Sequence, residues 1–413
     1  MMDDLVSRGP ARRWPGFWPR LERLSAARLA ALVFAAGLCL TLLGAAVGWG
    51  AGPIYERVVF LTDLASGRHL LYEERANYGA SPLSYWDSDW YYNIAANGYR
   101  FDGRPGRYQN VAFFPAYPLV TRLLWQATGL PWTTVAVAVA WACMFGFLYV
   151  FALLARSCLS PGDAVFATLL AGLAPAAVFG FLAYPTSLIA FTSALALWWW
   201  RQGRPWWAAL AAGVATASGS LGLAASGALV LAAARRARHG RFPWWQLPLL
   251  GLLSVSGLLA FMTFLDATFH RPLLFAEAQA AWQLPTTLPE RLGRLALLEP
   301  FRDAVLTVPS RPLFLVNAVV FLGMAAALVV AARRLPAILV AQAALTLVLA
   351  ALFSAAPTGR MGSMARICYS AGPAFLALAL SVTAPRARRW LLGSSAFVFL
   401  AFAALFAFGV FVQ

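Results

Sequence analysis

Apolar runs of roughly 18 residues or more, each long enough to cross a hydrocarbon core of about 30 Å, recur along most of this chain. Inside lipid every backbone amide must find its partner within the protein, and a helix meets that demand within one segment. Composition closes off a soluble alternative. Of 413 residues, 61% are hydrophobic and 12% charged, against about 45–50% and 25% in soluble domains. That leaves too little polar surface to cover a water-facing globule. The chain reads as an all-α polytopic membrane protein, with residues 1–413 forming one transmembrane domain. No repeat, low-complexity tract or soluble domain stands out.

The formal charge is +16 and every basic side chain is arginine. A basic balance can signal nucleic acid, but here the arginines fall in short clusters between apolar runs, as the positive-inside rule requires. They therefore report topology in a lipid bilayer, and no nucleic-acid partner is expected. Residues 1–28 hold Arg8, Arg12, Arg13, Arg20, Arg23 and Arg28 and should be cytoplasmic. The following run, about Leu29 to Trp49, is too long and too loosely ended for a cleaved signal peptide, so it reads as a retained first helix. The polar, aromatic segment at about 50–110 would then lie outside as a first external loop.

Further apolar segments lie at about 133–155, 163–182, 184–200, 206–234, 245–268, 312–332, 336–355, 367–384 and 390–411. Arg201/Arg204, Arg235/Arg236/Arg238/Arg241, Arg333/Arg334 and Arg386/Arg388/Arg389 mark cytoplasmic turns. Both flanks of 206–234 carry that mark, so the segment cannot cross once. Ser218-Gly219-Ser220-Leu221-Gly222 would break it into a re-entrant hairpin, allowed where protein buries the irregular backbone. Residues 111–128, with Arg122 and two early prolines, read as interfacial or re-entrant. The count is about nine full crossings, one hairpin and an external C-terminus.

Cys39, Cys143, Cys158 and Cys368 show no metal-ligand spacing, and His69, His239 and His270 form no zinc pattern. No metal or cofactor is expected. Chemistry concentrates in the first external loop, which reads Tyr85-Trp86-Asp87-Ser88-Asp89-Trp90-Tyr91-Tyr92-Asn93-Ile94-Ala95-Ala96-Asn97-Gly98-Tyr99. After a Gly/Arg turn it continues Asn110-Val111-Ala112-Phe113-Phe114-Pro115-Ala116-Tyr117-Pro118. Two carboxylates among aromatic rings at a membrane surface fit a general base, since desolvation raises carboxylate basicity. They also fit a solvated loop or helix cap, and the residues alone leave both open.

Trp86-Asp87-x-x-Trp90-Tyr91-x-x-Ile94-Ala95-x-x-Gly98-Tyr99, followed by Ala112-Phe113-Phe114-Pro115-x-Tyr117-Pro118, resembles the signature of one glycosyltransferase family. It comprises the second mannosyltransferase of glycosylphosphatidylinositol anchor synthesis (PIG-V-like) and its bacterial relatives, within the GT-C superfamily. Tyr184-Pro185-Thr186-Ser187-Leu188 is similar to its Tyr-x-Glu-Ser-Leu, Ala278-Gln279-Ala280-Ala281-Trp282 to its Ala-Gln-x-x-Trp, and Ser363-Met364-Ala365-Arg366 to its Ser-Met-x-Arg. Arginine counting, which uses none of these motifs, puts the Asp87 loop, Tyr184, Gln279 and Arg366 on the same external side.

The resemblance implies a GT-C-like bundle of about 9–11 transmembrane helices with a helical first external loop, in the bacterial inner (plasma) membrane, with its active site extracytoplasmic. It implies inverting transfer of a hexose, mannose by analogy, from a polyprenyl-phosphate sugar to a hydroxyl on a glycolipid, glycan or protein acceptor, without metal. Asp87 matches the family's loop aspartate and would be the base; Asp89 is a second candidate. Arginine stays charged and binds phosphate bidentately. Arg366 is therefore the foremost candidate for the donor phosphate, with Arg100, Arg107, Arg104 and Arg360 as alternatives. Trp86, Trp90, Tyr91, Tyr184, Gln279 and Trp282 either line the substrate site or pack the structure.

Two positions depart from the family. Thr186 stands where relatives carry Glu, and Gly219 where they carry Arg. Losing one member of a buried ion pair costs about 3–5 kcal/mol, while losing both can be nearly neutral. The expectation is that these groups pair in relatives and were lost together here. The departures keep open a catalytically silent relative acting as a subunit. A lipid or solute transporter is the other alternative. It would place ionisable residues within its spans, near the midplane; candidates are few, and one, Asp266, stands near the external end of its helix.

Overall fold

The structure, a computed structural model, describes residues 18–52, 81–282, 285–306, 313–356 and 363–410. Among the described residues the protein is all helix and turn, with no strand. Helices of eight residues or more are numbered in chain order. They are α1 (Ala26–Gly50), α2 (Asp87–Asn97), α3 (Ala116–Thr128), α4 (Trp132–Cys158), α5 (Pro161–Leu173), α6 (Thr186–Arg201), α7 (Pro205–Ser218) and α8 (Gly222–Arg238). There follow α9 (Gln246–Ser254), α10 (Ser256–Phe269), α11 (Leu288–Ala296), α12 (Glu299–Leu306), α13 (Leu313–Ala331), α14 (Ala337–Ser354), α15 (Pro373–Ser381) and α16 (Pro385–Phe408). The chain is an integral, multi-pass membrane protein: among the described residues five helices are long and apolar enough to cross a bilayer, namely α1, α4, α13, α14 and α16.

The remaining apolar runs are interrupted, and proline or glycine stands at most breaks. The run at 163–182 divides at Pro175 into α5 and a 3₁₀ turn, Pro175–Gly180. The run at 367–384 divides at Gly372-Pro373 into the short helix Met364–Tyr369 and α15. At 245–268, α9 and α10 meet at a 63° bend. Proline lacks the N–H that continues a helix and its ring clashes with the preceding turn, so the first two runs become shorter pieces inside the bundle, whereas the third bends at Val255. Residues 206–234 break at Gly219–Leu221, and α7 and α8 pack against each other across that turn. A β-carbon at Gly222 would fall inside the Ala215 backbone, so glycine is what lets the two helices approach.

α1 and α16 pack along their length. Gly44 and Gly48 form a small-xxx-small face: a β-carbon at Gly44 would meet Ala403 Cβ at 2.5 Å, and one at Gly48 would overlap the Ala404 carbonyl. Close backbone approach of this kind gives membrane helices their dispersion contacts where the hydrophobic effect no longer distinguishes helix from lipid. On its other side α1 meets α4 and α5, with Gly37 under the Phe181 ring. At one end of this group, Arg156 donates to the Leu24 carbonyl, and Arg388 pairs with Asp163 while lying 4.6 Å from the Phe166 ring. At the other end, Trp49 stacks on Tyr85, and Phe406 meets Tyr85 and Tyr184. The candidate site lies at that second end.

Candidate active site

α2 starts abruptly. Trp86, just before it, holds φ at 61°, a left-handed conformation that a bulky non-glycine residue adopts only when its surroundings enforce it. The enforcement comes from an interlock with the chain at 183–184. Ala183 N–H donates to the Leu83 carbonyl (3.0 Å) and Ser88 Oγ donates to the Ala183 carbonyl (3.1 Å). The fully buried Tyr184 hydroxyl accepts from Asp87 N–H (3.2 Å) and donates to the Tyr85 carbonyl (3.1 Å). Asp87 is the first residue of α2 and Asp89 shares its first turn, where the positive end of the helix dipole favours acids.

Asp87 Oδ2 lies 2.8 Å from Arg366 Nη1, and the two side chains are 14% and 23% exposed. The carboxylate does not face bulk water, and it is not alone among aromatic rings: a guanidinium offsets its charge. Arg366 comes from the short helix Met364–Tyr369, and its guanidinium carbon sits 5.5 Å from the Tyr184 ring centre and 5.7 Å from that of Phe179. Cation–π contacts of this kind favour a partly desolvated arginine. Tyr91, one turn beyond Asp87, is buried against Tyr184, Phe113 and Tyr117. Burial, then the Asp87 charge, pushes its phenol well above the usual range. Tyr91 thus stays protonated.

A second aromatic group adjoins the first through α2. Trp90 stacks on Phe113 with ring centres 5.6 Å apart, and Trp282 stands edge-on to both and to Tyr108. Gln279 Nε2 donates to the Ala112 carbonyl at 3.3 Å. The five motifs therefore converge: α2, the 110–117 stretch, Tyr184 and Arg366 around one ion pair, with Gln279 and Trp282 against Ala112 and Trp90. Trp86 sets the entry to α2. Asp89 is half-buried on the same turn.

Arg100, Arg104 and Arg107 are placed differently. They sit exposed on the 98–109 turn, which is held by Asn110 and Gln109: Asn110 Oδ1 accepts from Arg100 N–H (3.0 Å) and Gln109 Nε2 donates to the Arg104 carbonyl (2.7 Å). Arg107 pairs with Asp102 at 3.4 Å, both largely exposed. Among the described residues no contact joins these arginines to Asp87 or Arg366. Arg360 lies outside the described residues. Among the described residues no three His, Cys, Asp or Glu side chains group as metal ligands.

Gly219 lies against Ile189, one turn past Thr186 on α6; a β-carbon there would meet Ile189 Cδ1 at 2.8 Å. Gly219 thus lies beside the first turn of α6, the turn on which Thr186 stands. The sequence reading missed the residues that hold the Arg366 turn. Asn317 Oδ1 accepts from Ala365 N–H, and Gln342 Nε2 donates to the Ser370 carbonyl. A carboxamide inside an apolar run such as Leu313-Phe-Leu-Val-Asn317-Ala-Val-Val was the available signal.

Residues 61–241 match the family model described as Mannosyltransferase (PIG-V). A curated relative, GPI alpha-1,6-mannosyltransferase 2 of Cricetulus griseus, is 33% identical over 163 residues, 37% of this chain and 32% of that protein. The match thus spans about a third of that relative's length. Among solved structures, ArnT from Cupriavidus metallidurans bound to undecaprenyl phosphate is similar at TM-score 0.44 and 16% identity, covering 86% of this chain and 64% of that one. The oligosaccharyltransferase of Archaeoglobus fulgidus, in complex with Zn and sulfate, is similar at TM-score 0.44 and 16% identity over 92% and 53% of the two chains.

Proposed function

We propose that this chain, a relative of the PIG-V mannosyltransferases over residues 61–241, is an integral membrane glycosyltransferase that moves a hexose from a polyprenyl-phosphate donor to an acceptor hydroxyl on the extracytoplasmic side. The observation that carries the reading is the Asp87–Arg366 pair, mostly buried at the start of α2 under a layer of aromatic rings. The two groups have the opposite charges that such a transfer needs at its two ends.

In this mechanism the donor phosphate takes over Arg366 from Asp87. The freed carboxylate accepts the proton of the acceptor hydroxyl as that oxygen attacks the anomeric carbon. The carbon–oxygen bond to phosphate breaks, the electron pair leaves with the lipid phosphate, and Arg366 stabilises its developing charge. Attack opposite the leaving group inverts the anomeric centre. Tyr91 offers a neutral hydroxyl beside both charges, and Trp90 and Trp282 offer apolar ring faces for a sugar. Mannose is the sugar favoured by the family match.

Transfer of radiolabelled mannose from polyprenyl-phosphate mannose in membranes tests this. Asp87→Asn should lower the rate by about 10²–10⁴-fold, the range for removing a general base, and Asp89→Asn much less. Native rates in Asp87→Asn would remove Asp87 from the chemistry. The Thr186 and Gly219 departures favour one rival, a catalytically silent subunit. That rival gains if the native protein transfers no sugar from any polyprenyl phosphate.

A further inference from the structure

Two carboxamides inside apolar spanning helices are buried almost completely: Asn317 of α13 is 2% exposed and Gln342 of α14 is 1% exposed. Such groups weaken a membrane helix unless they make hydrogen bonds that matter to the fold or the site. Both reach the same short helix. Asn317 Oδ1 accepts from Ala365 N–H at 3.1 Å, and Gln342 Nε2 donates to the Ser370 carbonyl at 2.8 Å and to Thr346 Oγ1 at 3.2 Å.

Those two backbone groups bracket Met364–Tyr369, the six-residue helix that carries Arg366. The first N–H groups and last C=O groups of a helix have no partner within it, and a helix this short has little stability of its own. Ser363, which enters it, holds φ at 58°, and the Tyr369 hydroxyl donates to the Ala171 carbonyl at 2.7 Å. The turn is thus fixed by side chains from two other helices at its ends and by its own tyrosine. Arg366 is its one charged residue, and the arginine ends 2.8 Å from Asp87.

We propose that Asn317 and Gln342 are positioning residues for Arg366. Their amides set where the turn sits, and so where the guanidinium meets Asp87 and the phosphate of a lipid ligand. Naming a lipid phosphate as ligand rests on the function proposed above; the positioning itself does not.

The test uses the full-length protein in detergent, with polyprenyl phosphate alone as probe. Asn317→Leu, which removes the acceptor, should weaken probe binding about tenfold, on the scale of one lost hydrogen bond to a buried site. Asn317→Gln, which keeps an uncharged amide oxygen as acceptor, should recover part of that, and Gln342→Leu should repeat the loss from the other end. In an Arg366→Ala background Asn317→Leu should change nothing further, because its effect runs through the guanidinium. An equal loss in both backgrounds would mean packing alone and overturn the proposal. Where transfer is measurable, the loss should appear in KM for the donor more than in kcat. Hydrogen exchange of the 363–370 segment, read without ligand, should rise in Asn317→Leu; unchanged protection overturns the proposal even if the native protein binds no lipid phosphate. A native protein that binds the probe but transfers no sugar sinks the enzyme reading and leaves the positioning result standing.

Discussion

The hydroxyl of Tyr184 both accepts and donates, joining Asp87 N–H to the Tyr85 carbonyl inside a fully buried site. Asp87 N–H is one of the orphan donors at a helix start, so Tyr184 caps α2 from a distant part of the chain. Removing the hydroxyl takes from Asp87 N–H its partner, at about 1–3 kcal/mol, while the Tyr85 carbonyl keeps the Ser88 N–H at 3.3 Å. Tyr184→Phe should therefore lower the thermal midpoint in detergent and also reduce sugar transfer, because the carboxylate rides on the backbone it displaces. Unaltered stability and rate would show that water replaces the bond at no cost. Asp87 and Tyr184 were legible in the sequence because they stand within motifs. Their bond was not, since a residue pattern records neither which hydroxyl reaches which amide nor the left-handed φ of Trp86. Arg366 lies 279 residues from Asp87, and the counting of arginine clusters placed the two on one side independently of the motifs.

At the scale of helices, the fit between α1 and α16 depends on two glycines. A methyl at Gly48 would overlap the Ala404 carbonyl, which cannot rotate away as a flexible side chain could. Gly48→Ala should push the helices apart and cost about 1–3 kcal/mol, the range for overpacking. Gly50→Ala, two residues on with nothing within 4 Å of an added methyl, should be neutral or slightly stabilising, as alanine favours helix by about 0.5–1 kcal/mol. Thermal unfolding of the two variants side by side checks this, and equal effects would refute the packing. The long helices α1, α4, α13, α14 and α16 were legible as apolar runs because length and hydropathy suffice for a span. The runs at 163–182, 245–268 and 367–384 were read as single crossings, yet they fold as broken pieces. Hydropathy averages over a proline or a bend, whereas the backbone does not.

The whole molecule sets its arginine-rich helix ends and its candidate site apart. Arg156, the Leu24 carbonyl, Asp163 and Arg388 gather where α1 and α16 begin, while Trp49, Phe406, Tyr85 and Tyr184 meet where those helices end. α1 has 25 residues, and at 1.5 Å per residue it holds these ends about 37 Å apart, more than the roughly 30 Å of a hydrocarbon core. The turn at Gly219–Leu221 lies beside the start of α6, near Tyr184, whereas Arg236 meets Trp200 at the far end of α6. Arginine clusters and site should then face opposite aqueous phases, with positive charge retained in the cytoplasm. In protein freed of Cys39, Cys143, Cys158 and Cys368, the exposed positions Arg104 and Arg238 report this directly. An impermeant thiol reagent applied to intact cells should label Arg104→Cys at once and Arg238→Cys only after the membrane is opened. Labelling of both from one side would place the Asp87–Arg366 pair and the arginine clusters in the same compartment, and a lipid-linked sugar presented from outside could not reach the base.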